Sequence, residues 1–306
     1  MHNSIQAWAH ANEALARHTT MRVGGAAQWW AEPQTEAELA AILQAVQHGG
    51  YPLQVLGAGS NLVPSDSGFA GVVLKLGDGF AWHRVEENRL ITGGATLLPK
   101  LTKFALQHQL GNFEWACGVP GSAGGSIWGN AGARGFNGQA MESRDAATDL
   151  ESLIAYDRAG KRHRLLRHDV EFSYRRSSLG ELIVVEATFA LKPLNEEQAQ
   201  EHRAAVKDLL KKRRETQPTN AASAGCVWKN PQYGDCRGAG ELIESLGLKG
   251  HRVGGAVVSP IHANFVVNEG HATGADVRNL IKEVEEIVER ETGVHLEREV
   301  RLLGES

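Results

Sequence analysis

Several features that mark other classes of protein are scarce or absent in this sequence. It has only three cysteines in 306 residues, Cys117, Cys226 and Cys236, and they form no C-x-x-C motif. An odd number of widely spaced cysteines gives no disulfide framework and suits a reducing cytoplasm. The 13 histidines are scattered and include no H-E-x-x-H motif, so we predict no metal site.

Long apolar runs and a strong charge imbalance are also lacking. No apolar stretch approaches the length of a membrane span, and residues 1–6 lack the basic and apolar regions of a signal peptide. The net charge is −4, and the densest basic run, residues 211–214, lies at the end of a predicted helix, where positive charge is favourable. We therefore predict a cytoplasmic protein of two or three domains, with no membrane association and no nucleic-acid partner.

Glycine, in contrast, is abundant and concentrated. Of the 35 glycines, eight fall within residues 111–135, which read GNFEWACGVPGSAGGSIWGNAGARG. The apolar residues here follow neither a strand nor a helix period, so no ordinary element is predicted. Glycine suits a backbone with positive φ or one that lies against a ligand, and successive free N–H groups can wrap a diphosphate. The alternative, a flexible linker, is disfavoured by stiff residues such as Trp115, Pro120 and Trp128. Further side-chain donors in this stretch are Ser122, Ser126 and Asn130.

A second glycine loop follows a predicted buried strand at residues 53–56. It reads Gly57-Ala58-Gly59-Ser60-Asn61, which begins like a dinucleotide-binding fingerprint. The third glycine of that fingerprint is missing, because position 62 is leucine, and Pro64 and polar residues follow where a helix should begin. We therefore expect this loop to bind phosphate through backbone N–H groups, without a helix dipole.

The two loops together resemble those of the UDP-N-acetylenolpyruvoylglucosamine reductases. The pattern V-L-G-x-G-S-N, followed by G-[IV]-P-G-S-x-G-G-x-x-x-x-N-A-G, is similar to the segments that hold the FAD pyrophosphate in this family of bacterial cell-wall synthesis. The resemblance implies an α+β protein with a vanillyl-alcohol-oxidase-type FAD-binding fold, made of two α/β subdomains and a C-terminal α+β substrate domain. The segment from His18 to Gly25 resembles the family's N-terminal flavin-side segment. The residues that the resemblance assigns to non-covalently bound FAD are Leu56, Gly57, Gly59, Ser60, Asn61, Val119, Pro120, Gly121, Ser122, Gly124, Gly125, Asn130, Ala131, Gly132 and Arg301.

Three further motifs resemble the family's catalytic segments. Arg175, in S-Y-R, matches the active-site cation, and its alternative is a surface arginine stacked on Tyr174. Cys226, in S-A-G-C-V-W-K-N-P, stands where the family usually has the serine that donates a proton, and its alternative is a buried core thiol. Glu299, in L-E-R-E-V-R, matches the catalytic carboxylate, with Arg298 where the family has proline; its alternative is an exposed strand face.

The resemblance also implies residues that contact the substrate. Lys229 and Asn230 match family positions near the substrate, while Lys249 and His262 are candidates for its diphosphate against plain surface roles. Tyr174 and Arg214 complete this set. We also expect Glu297 to support the site, because residues 297, 299 and 301 would share one face of a strand. Residues 178–181 leave no room for the tyrosine loop of one family subdivision, so the chain resembles the shorter type.

The family reaction then supplies a specific expectation. NADPH reduces FAD at N5, and the hydride passes to C3 of the enolpyruvyl group of UDP-N-acetylenolpyruvoylglucosamine, giving UDP-N-acetylmuramate. Arg175 would hold the substrate carboxylate, Cys226 would protonate C2, and Glu299 would act as an acid or polarise the enol. The alternatives are another FAD oxidoreductase or oxidase of the same fold, and a non-catalytic protein that binds flavin or a nucleotide sugar.

Apolar spacing, caps and turn residues predict the order of the elements. We expect an irregular or helical lead-in over residues 1–18, then FAD-binding subdomains at 1–78 and 79–193 and a substrate domain at 194–306. The predicted helices lie between Thr35 and Gly49 and over 96–109, 195–214, 238–246 and 274–292. The predicted strands are 53–56, 71–76, 90–92, 150–157, 161–166, 182–191, 264–267 and 294–303, the last returning to the flavin site.

Overall fold

The computed structural model describes residues 4–231 and 238–304, and the chain divides into two compact units. The first unit contains Met1–His10, Trp29–Ala58 and Val72–Arg213. The second contains Ala11–Gln28, Gly59–Gly71 and Arg214–Ser306. The boundaries at residues 78 and 193 that the sequence suggested remain a prediction. No helix in the described part of the chain is long and apolar enough to cross a membrane.

The helices and strands follow one another in a mixed α+β order. They are β1 Ala9–Ala14, β2 Ala26–Ala31, α1 Glu36–Gly49, β3 Leu53–Leu56, β4 Leu62–Pro64, β5 Phe69–Lys75, β6 His83–Glu86, β7 Arg89–Gly93, α2 Leu98–Gln107, β8 Leu110–Gly111, α3 Ala123–Trp128, β9 Gly132–Phe136, β10 Met141–Asp145, β11 Leu150–Tyr156, β12 Arg162–Leu166, β13 Phe172–Ser173, β14 Arg176–Ser177, β15 Ile183–Ala190, β16 Lys192–Pro193, α4 Glu196–Thr216, β17 Ala222–Cys226, α5 Ala239–Ser245, β18 Arg252–Val253, β19 Ala256–Val258, β20 Phe265–Asn268, α6 Gly274–Thr292 and β21 Arg301–Leu303. Short 3₁₀ helices lie at Ile5–Ala7, Leu15–His18, Asp78–Phe80, Glu114–Gly118 and Arg167–Asp169.

The first unit begins with a small α/β arrangement. Thr35 caps α1, since its side chain accepts the N–H of Glu38, and Gly50 ends the helix in the left-handed region with φ 64°. Strand β3 pairs in parallel with β5, with Leu53 opposite Val72. The apolar side chains of α1 and β5 share one buried cluster, as the helical spacing of the sequence predicts.

The rest of the first unit is built on an antiparallel sheet. Its strand order is β12-β11-β15-β7-β6. Leu101 of α2, Ile127 of α3 and Phe189 of β15 belong to one buried cluster with Phe113 and Trp115. The second glycine loop therefore lies within a packed core rather than on a linker.

The second unit packs α6 with another antiparallel sheet. The order of that sheet is β17-β20-β19-β18, and α6 contributes fully buried side chains such as Leu280, Ile281 and Val284 to the same core. Thr273 and Asp276 form a capping box at the start of α6, and Gly293 ends it with φ 73°. The predicted helix over 274–292 is confirmed.

The prediction of a strand over 294–303 is wrong for most of its length. Only Arg301–Leu303 forms a strand, β21, which pairs in parallel with β4. Before it, the N–H groups of Glu299 and Val300 both donate to the carbonyl of Val227, at 2.8 and 3.1 Å. Two successive donors on one acceptor break the alternation of a ladder, so residues 297, 299 and 301 share no strand face.

Two further predictions need correction. Residues 111–135 do contain ordinary elements, because α3 lies within them and β9 begins in them, and glycine allows that short helix to pack closely. The lead-in over 1–18 includes β1, in which three of the six residues are polar and the other three are alanine, so it gives no strand signal. The predicted helix after Thr35 and the predicted strands at 53–56 and 150–157 are confirmed within a residue.

Candidate functional site

The first glycine loop, Gly57–Asn61, presents successive backbone donors. Among the hydrogen bonds of the described residues, none uses an N–H group of Gly57, Ala58, Gly59, Ser60 or Asn61 as its donor. No helix follows, since β4 begins at Leu62, as the sequence predicts. Five unpaired amides in a row are an arrangement that can wrap an anion.

Gly59 fixes the second half of this loop. Its φ is +67°, and a Cβ built there would lie 1.9 Å from the carbonyl oxygen of His18. The N–H of Thr20 donates to the carbonyl of Gly59 at 3.0 Å. Both reasons for glycine, positive φ and close approach of backbone, therefore apply at this one position.

The second glycine loop uses its amides differently. The N–H groups of Ala123 and Gly124 donate to the carbonyls of Thr96 and Gly94, at 2.8 and 2.9 Å. That of Gly125 donates to Oγ of Ser122, the N-cap of α3, at 3.4 Å. The expectation of a run of free N–H groups is therefore wrong for residues 123–125, because α3 and the neighbouring backbone supply acceptors.

The glycines of this second loop serve close packing. None of the eight glycines between residues 111 and 135, all within the described part, has φ in the left-handed region. A Cβ on Gly124 would lie 2.7 Å from the carbonyl oxygen of Val184, and one on Gly135 would lie 2.9 Å from Cβ of Trp115. Their missing side chains let the backbone lie against its neighbours.

Within the first unit, Gly57 at the start of the first glycine loop lies against the second loop. A Cβ on Gly57 would lie 2.9 Å from Oγ of Ser122 and 3.7 Å from Cα of Gly125. The structure thus brings together three of the residues that the sequence assigned to the cofactor. Val119, Pro120 and Gly121 precede them, and the carbonyl of Gly121 accepts the N–H of Leu98 at 2.9 Å.

Asn130 holds the end of the second loop with its side chain. This buried residue has φ 44°, and its Nδ2 donates to Oδ2 of Asp145 at 3.0 Å and to the carbonyl of Ser173 at 2.9 Å. Its Oδ1 accepts the N–H of Ala147 at 3.2 Å. The side-chain amide of Asn130 is thus hydrogen bonded within the protein. Ala131 follows it, and β9 begins at Gly132.

Arg175 lies in the turn between β13 and β14, with φ 57°. Its Nη2 donates to the carbonyl of Gly132 at 2.8 Å, and its guanidinium carbon lies 5.0 Å from the ring centroid of the exposed Tyr174. The structure brings these three predicted residues together. The stacking on tyrosine that the sequence allowed is present, and it coexists with a hydrogen bond that aims the guanidinium at the second glycine loop.

In the second unit, Cys226 ends β17, opposite Phe265 of β20. Gly225, just before it, has φ +77°, and a Cβ there would lie 3.8 Å from the carbonyl oxygen of Ser60. Oγ1 of Thr20 donates to the carbonyl of Ser223 at 2.6 Å. Thr20 therefore connects the first glycine loop to the strand that carries Cys226. Sequence reasoning marked its segment by resemblance but did not single it out.

Glu299 lies on the backbone segment beside this strand. Its N–H donates to the carbonyl of Val227 at 2.8 Å, and its own carbonyl accepts Nδ2 of Asn61 at 3.1 Å. The N–H of Arg301 donates to the carbonyl of Asn61 at 3.1 Å, and burial lowers the pKa of the Arg301 guanidinium. The residues Cys226, Glu299, Asn61 and Arg301, predicted from distant motifs, thus lie on adjoining backbone.

Lys229 and Asn230 continue from Cys226 and make protein contacts. Nζ of Lys229 forms an ion pair with Glu297, and its N–H donates to the Glu297 carbonyl at 2.8 Å. Oδ1 of Asn230 accepts the N–H of Ala239, the first residue of α5, at 3.2 Å. Glu297 therefore supports Lys229 directly, by a different geometry from the shared strand face that was expected.

Lys249 lies before β18 and His262 lies after β19, so the two residues flank one antiparallel pair of strands. Nζ of Lys249 lies 2.6 Å from Oε1 of Glu244, and a Cβ on Gly240 would lie 2.8 Å from Cε1 of His262. Burial, and then the positive charge of Lys249, lower the pKa of His262. Arg214 is exposed near the end of α4. Cys236 lies outside the described residues.

Comparison with known proteins defines the class. Residues 27–151, which include both glycine loops, match a family profile described as an FAD binding domain. Residues 217–303, which include Cys226 and Glu299, match one described as UDP-N-acetylenolpyruvoylglucosamine reductase, C-terminal domain. The fold and the site define a flavin-dependent oxidoreductase with the vanillyl-alcohol-oxidase-type FAD-binding fold, as predicted.

Relatives along nearly the whole chain then give the family. UDP-N-acetylenolpyruvoylglucosamine reductase 2 of Symbiobacterium thermophilum is 40% identical over 95% of this chain and 91% of its own length. The reductase of Heliobacterium modesticaldum is 39% identical over 96% of this chain and 90% of its own. The crystal structure of the reductase from Thermus caldophilus has a TM-score of 0.78 and 32% identity, covering 95% of this chain and 97% of that one. The chain belongs to the UDP-N-acetylenolpyruvoylglucosamine reductase family.

The described residues fit FAD, the cofactor of this family. The Gly57–Asn61 loop offers donors without protein acceptors, which suits the pyrophosphate of a dinucleotide. At Gly57 and Gly125 the absence of side chains leaves backbone exposed to a ligand, and a Cβ on Gly57 would already crowd Ser122. The set contains no carboxylate that would repel a pyrophosphate.

Proposed function

We propose that this chain catalyses the NADPH-dependent reduction of UDP-N-acetylenolpyruvoylglucosamine to UDP-N-acetylmuramate in the cytoplasm, a step towards the peptidoglycan precursor. The names of its relatives support the substrate. The observation that carries the proposal is the hydrogen bond from Glu299 to Val227, since it joins the segment of the predicted carboxylate to that of the predicted proton donor. FAD, when bound, would accept hydride from NADPH at N5 and deliver it to C3 of the enolpyruvyl group.

The first glycine loop would hold the cofactor's pyrophosphate. The N–H groups of Gly57 through Asn61 would donate to its oxygens, which gives each of these amides a partner. Ser122 and Gly125 would lie against the same group, because they approach Gly57 most closely. Asn130 would contribute through its carbonyl oxygen alone, since its side-chain amide and its N–H group are already hydrogen bonded within the protein.

Cys226 would donate the proton to C2 of the substrate. Its thiol has one hydrogen to give and is a stronger acid than the serine of most relatives. The left-handed φ of Gly225 bends β17 immediately before it, and the carbonyl of Ser60 approaches at that bend. The backbone beside Cys226 is thereby fixed to the loop that would hold the cofactor.

Arg175 would hold the substrate carboxylate and stabilise the charge that develops as hydride arrives. The planar fork of an arginine side chain matches a carboxylate in shape and charge. One nitrogen of that fork donates to Gly132, which restricts the rotation of the guanidinium. The left-handed backbone of Arg175 fits a strained position retained for a functional side chain.

Glu299 would assist at the enol, either as a proton-bearing acid or as a group that polarises it. Its backbone is held at both ends, by Val227 through the N–H and by Asn61 through the carbonyl. Lys229, Asn230, Tyr174 and Arg214 would contact the substrate, and Lys249 with His262 would hold its diphosphate. The lowered pKa of His262 means that it would bind as a neutral donor at physiological pH, beside the charged Lys249.

Separated half-reactions test this proposal. The flavin is bleached anaerobically with NADPH and then reoxidised by the enolpyruvyl substrate without oxygen. Cys226→Ala should leave flavin content and bleaching intact, while reoxidation slows by about 10²–10⁴-fold, the usual effect of losing one general acid. Cys226→Ser should recover part of the rate. Iodoacetamide should inactivate the native chain, with protection by substrate, and should spare the serine variant.

Reoxidation of Cys226→Ala at the native rate would place the proton donor elsewhere, with Glu299 the next residue to test. If NADPH bleaches the flavin but only oxygen reoxidises it, the chain is an oxidase of the same fold. A chain that binds FAD but is not bleached by NADPH would be a binding protein.

A further inference from the structure

One carboxylate of α6 contacts both segments of the proposed acid–base pair. Glu285 has a side chain that is only 15% exposed. Its Oε1 accepts the indole N–H of Trp228 at 2.9 Å, and Trp228 is completely buried. A buried indole N–H needs an acceptor, so this bond fixes the side chain that follows Cys226 by two positions.

Arg298 approaches the same carboxylate from the other segment. Its Nε donates to Oε1 of Glu285 at 2.7 Å and its Nη2 to Oε2 at 2.5 Å, a two-pronged pair. The hydrogen bond to Glu285 is the main reason that the pKa of Arg298 is raised. Trp228 and Arg298 also face each other across an isolated antiparallel bridge. Arg298 is thus a cation that joins the two segments through Glu285.

A second contact from α6 holds the far end of the same segment. Arg278 lies seven residues before Glu285, two turns earlier and on the same helix face. Its Nη2 donates to the carbonyl of Leu303 at 2.5 Å and to that of Val63 at 3.3 Å. One face of α6 therefore holds residues 298–303 at both ends, and Glu299 lies directly beside the Glu285 contact.

We propose that Glu285 is a positioning residue, whose carboxylate, through Trp228 and Arg298, sets the placement of Glu299 beside Cys226. The inference rests on the function proposed above for those two residues. Loss of the carboxylate leaves the Trp228 N–H buried without an acceptor and releases Arg298, so the two segments shift against each other. Displacement of reacting groups by about 1 Å can cost about 10²-fold in rate, which makes such a shift visible in the kinetics.

The first experiment compares Glu285→Gln with Glu286→Gln in the FAD-loaded enzyme. Glutamine keeps the shape but replaces one carboxylate oxygen by an N–H donor that faces Arg298, so the two-pronged pair with Arg298 is broken even where the remaining oxygen still accepts from Trp228. Glu286 is the matched control, because it lies next on α6, is 61% exposed and pairs only with Lys282 in the contacts described. Substrate-driven reoxidation should slow by about 10- to 100-fold in Glu285→Gln, while NADPH-driven bleaching, flavin content and the control stay unchanged. Equal slowing of both half-reactions would overturn the proposal.

A double-mutant cycle separates positioning from general stability. If Glu285 acts through Arg298, the double variant Glu285→Gln/Arg298→Gln should be no slower than the slower single variant. If the rate losses of the two single variants multiply in the double variant, the proposal is overturned. Trp228→Phe removes the N–H while keeping an aromatic side chain, and it should slow reoxidation selectively even if Glu285→Gln folds poorly.

The alkylation rate of Cys226, followed by mass spectrometry of its peptide, gives a readout that needs no catalysis. The alkylation rate should differ from that of the native enzyme in Glu285→Gln and equal it in Glu286→Gln. If Cys226→Ala reduces substrate at the native rate while Glu285→Gln still changes the alkylation rate of Cys226, the proposed proton donor is wrong but the positioning proposal survives. Native alkylation of Cys226 in Glu285→Gln would overturn the positioning itself.

Discussion

The two glycine loops look alike in sequence but use glycine for different purposes. In Gly57–Asn61 the amides have no acceptor among the described residues, and Gly59 needs a left-handed backbone. At the start of α3 the amides of residues 123–125 donate to Thr96, Gly94 and Ser122, and the glycines let a helix lie against β15. Glycine content alone therefore does not locate a phosphate site; what matters is whether the amides still need partners.

The largest effect is expected at Gly59, where both reasons for glycine coincide. Gly59→Ala places a Cβ 1.9 Å from the His18 carbonyl at φ +67°. Left-handed strain of about 1–3 kcal/mol and a clash of about 1–3 kcal/mol should together destabilise the fold and remove flavin. Urea unfolding and the flavin absorbance of purified protein measure the two effects.

Gly50 provides the control for that variant. It has φ +64°, but nothing lies within 4 Å of a Cβ built there. Gly50→Ala should therefore show the left-handed strain alone, about 1 kcal/mol, with full flavin content. If Gly50→Ala and Gly59→Ala lose the same stability and the same flavin, the close approach to His18 has no energetic weight.

A pair of alanine variants should separate the two loops directly. Gly57→Ala crowds Ser122 beside the unpaired amides, and we expect FAD to bind at least about tenfold more weakly, or about 1.4 kcal/mol, with little change in the stability of the apoprotein. Gly124→Ala places a Cβ 2.7 Å from the Val184 carbonyl, so it should lose about 1–3 kcal/mol of stability and keep native FAD affinity in the folded fraction. The reverse result, weaker FAD binding in Gly124→Ala and lower stability in Gly57→Ala, would show that the first glycine loop does not hold the pyrophosphate.

The smallest effect is expected from Cys117, which lies in the second loop. Burial raises the pKa of its thiol to about 11 from an ordinary value of 9.0, against a smaller opposing effect of Arg213. The folded state therefore holds the proton more tightly, and this part of the stability is complete below pH 9 and lost as the pH rises to about 11. Cys117→Ala should lack this part of the pH dependence of urea unfolding. Identical pH profiles would show that the thiol is not held in an apolar environment.

Much of the fold was predictable, because its signals are local. The apolar stripe and capping box of α6 give its bounds, and the run Leu53–Leu56 before a glycine gives β3. Strand β1 was missed because it contains three polar residues and three alanines, and no large apolar side chain marks it. The segment 294–303 was misread because its alternating charges resemble a strand, while hydrogen bonds from Glu299 and Val300 to a single distant carbonyl determine its actual course.

The candidate site divides in the same way. Arg175, Cys226 and Glu299 were predicted from short motifs, and the proximity of Glu299 to Cys226 is a property of tertiary structure alone. Thr20 and Glu285 make their contacts with residues far along the chain, so no local pattern marks them. Asn130 was found by motif, but only the structure reveals that its side chain is occupied within the protein.

Segments of the two units alternate along the chain, and this has a consequence for how the protein folds during translation. The second unit includes residues 11–28 and 59–71, yet Asn61 finds its partner Glu299 238 positions later. A ribosome therefore releases the early part of this unit long before its pairing partner exists, and β4 waits for β21 with its edge uncovered. Translation order predicts that the second unit closes last, so that stalled or truncated chains would depend on chaperones to keep that edge from aggregating.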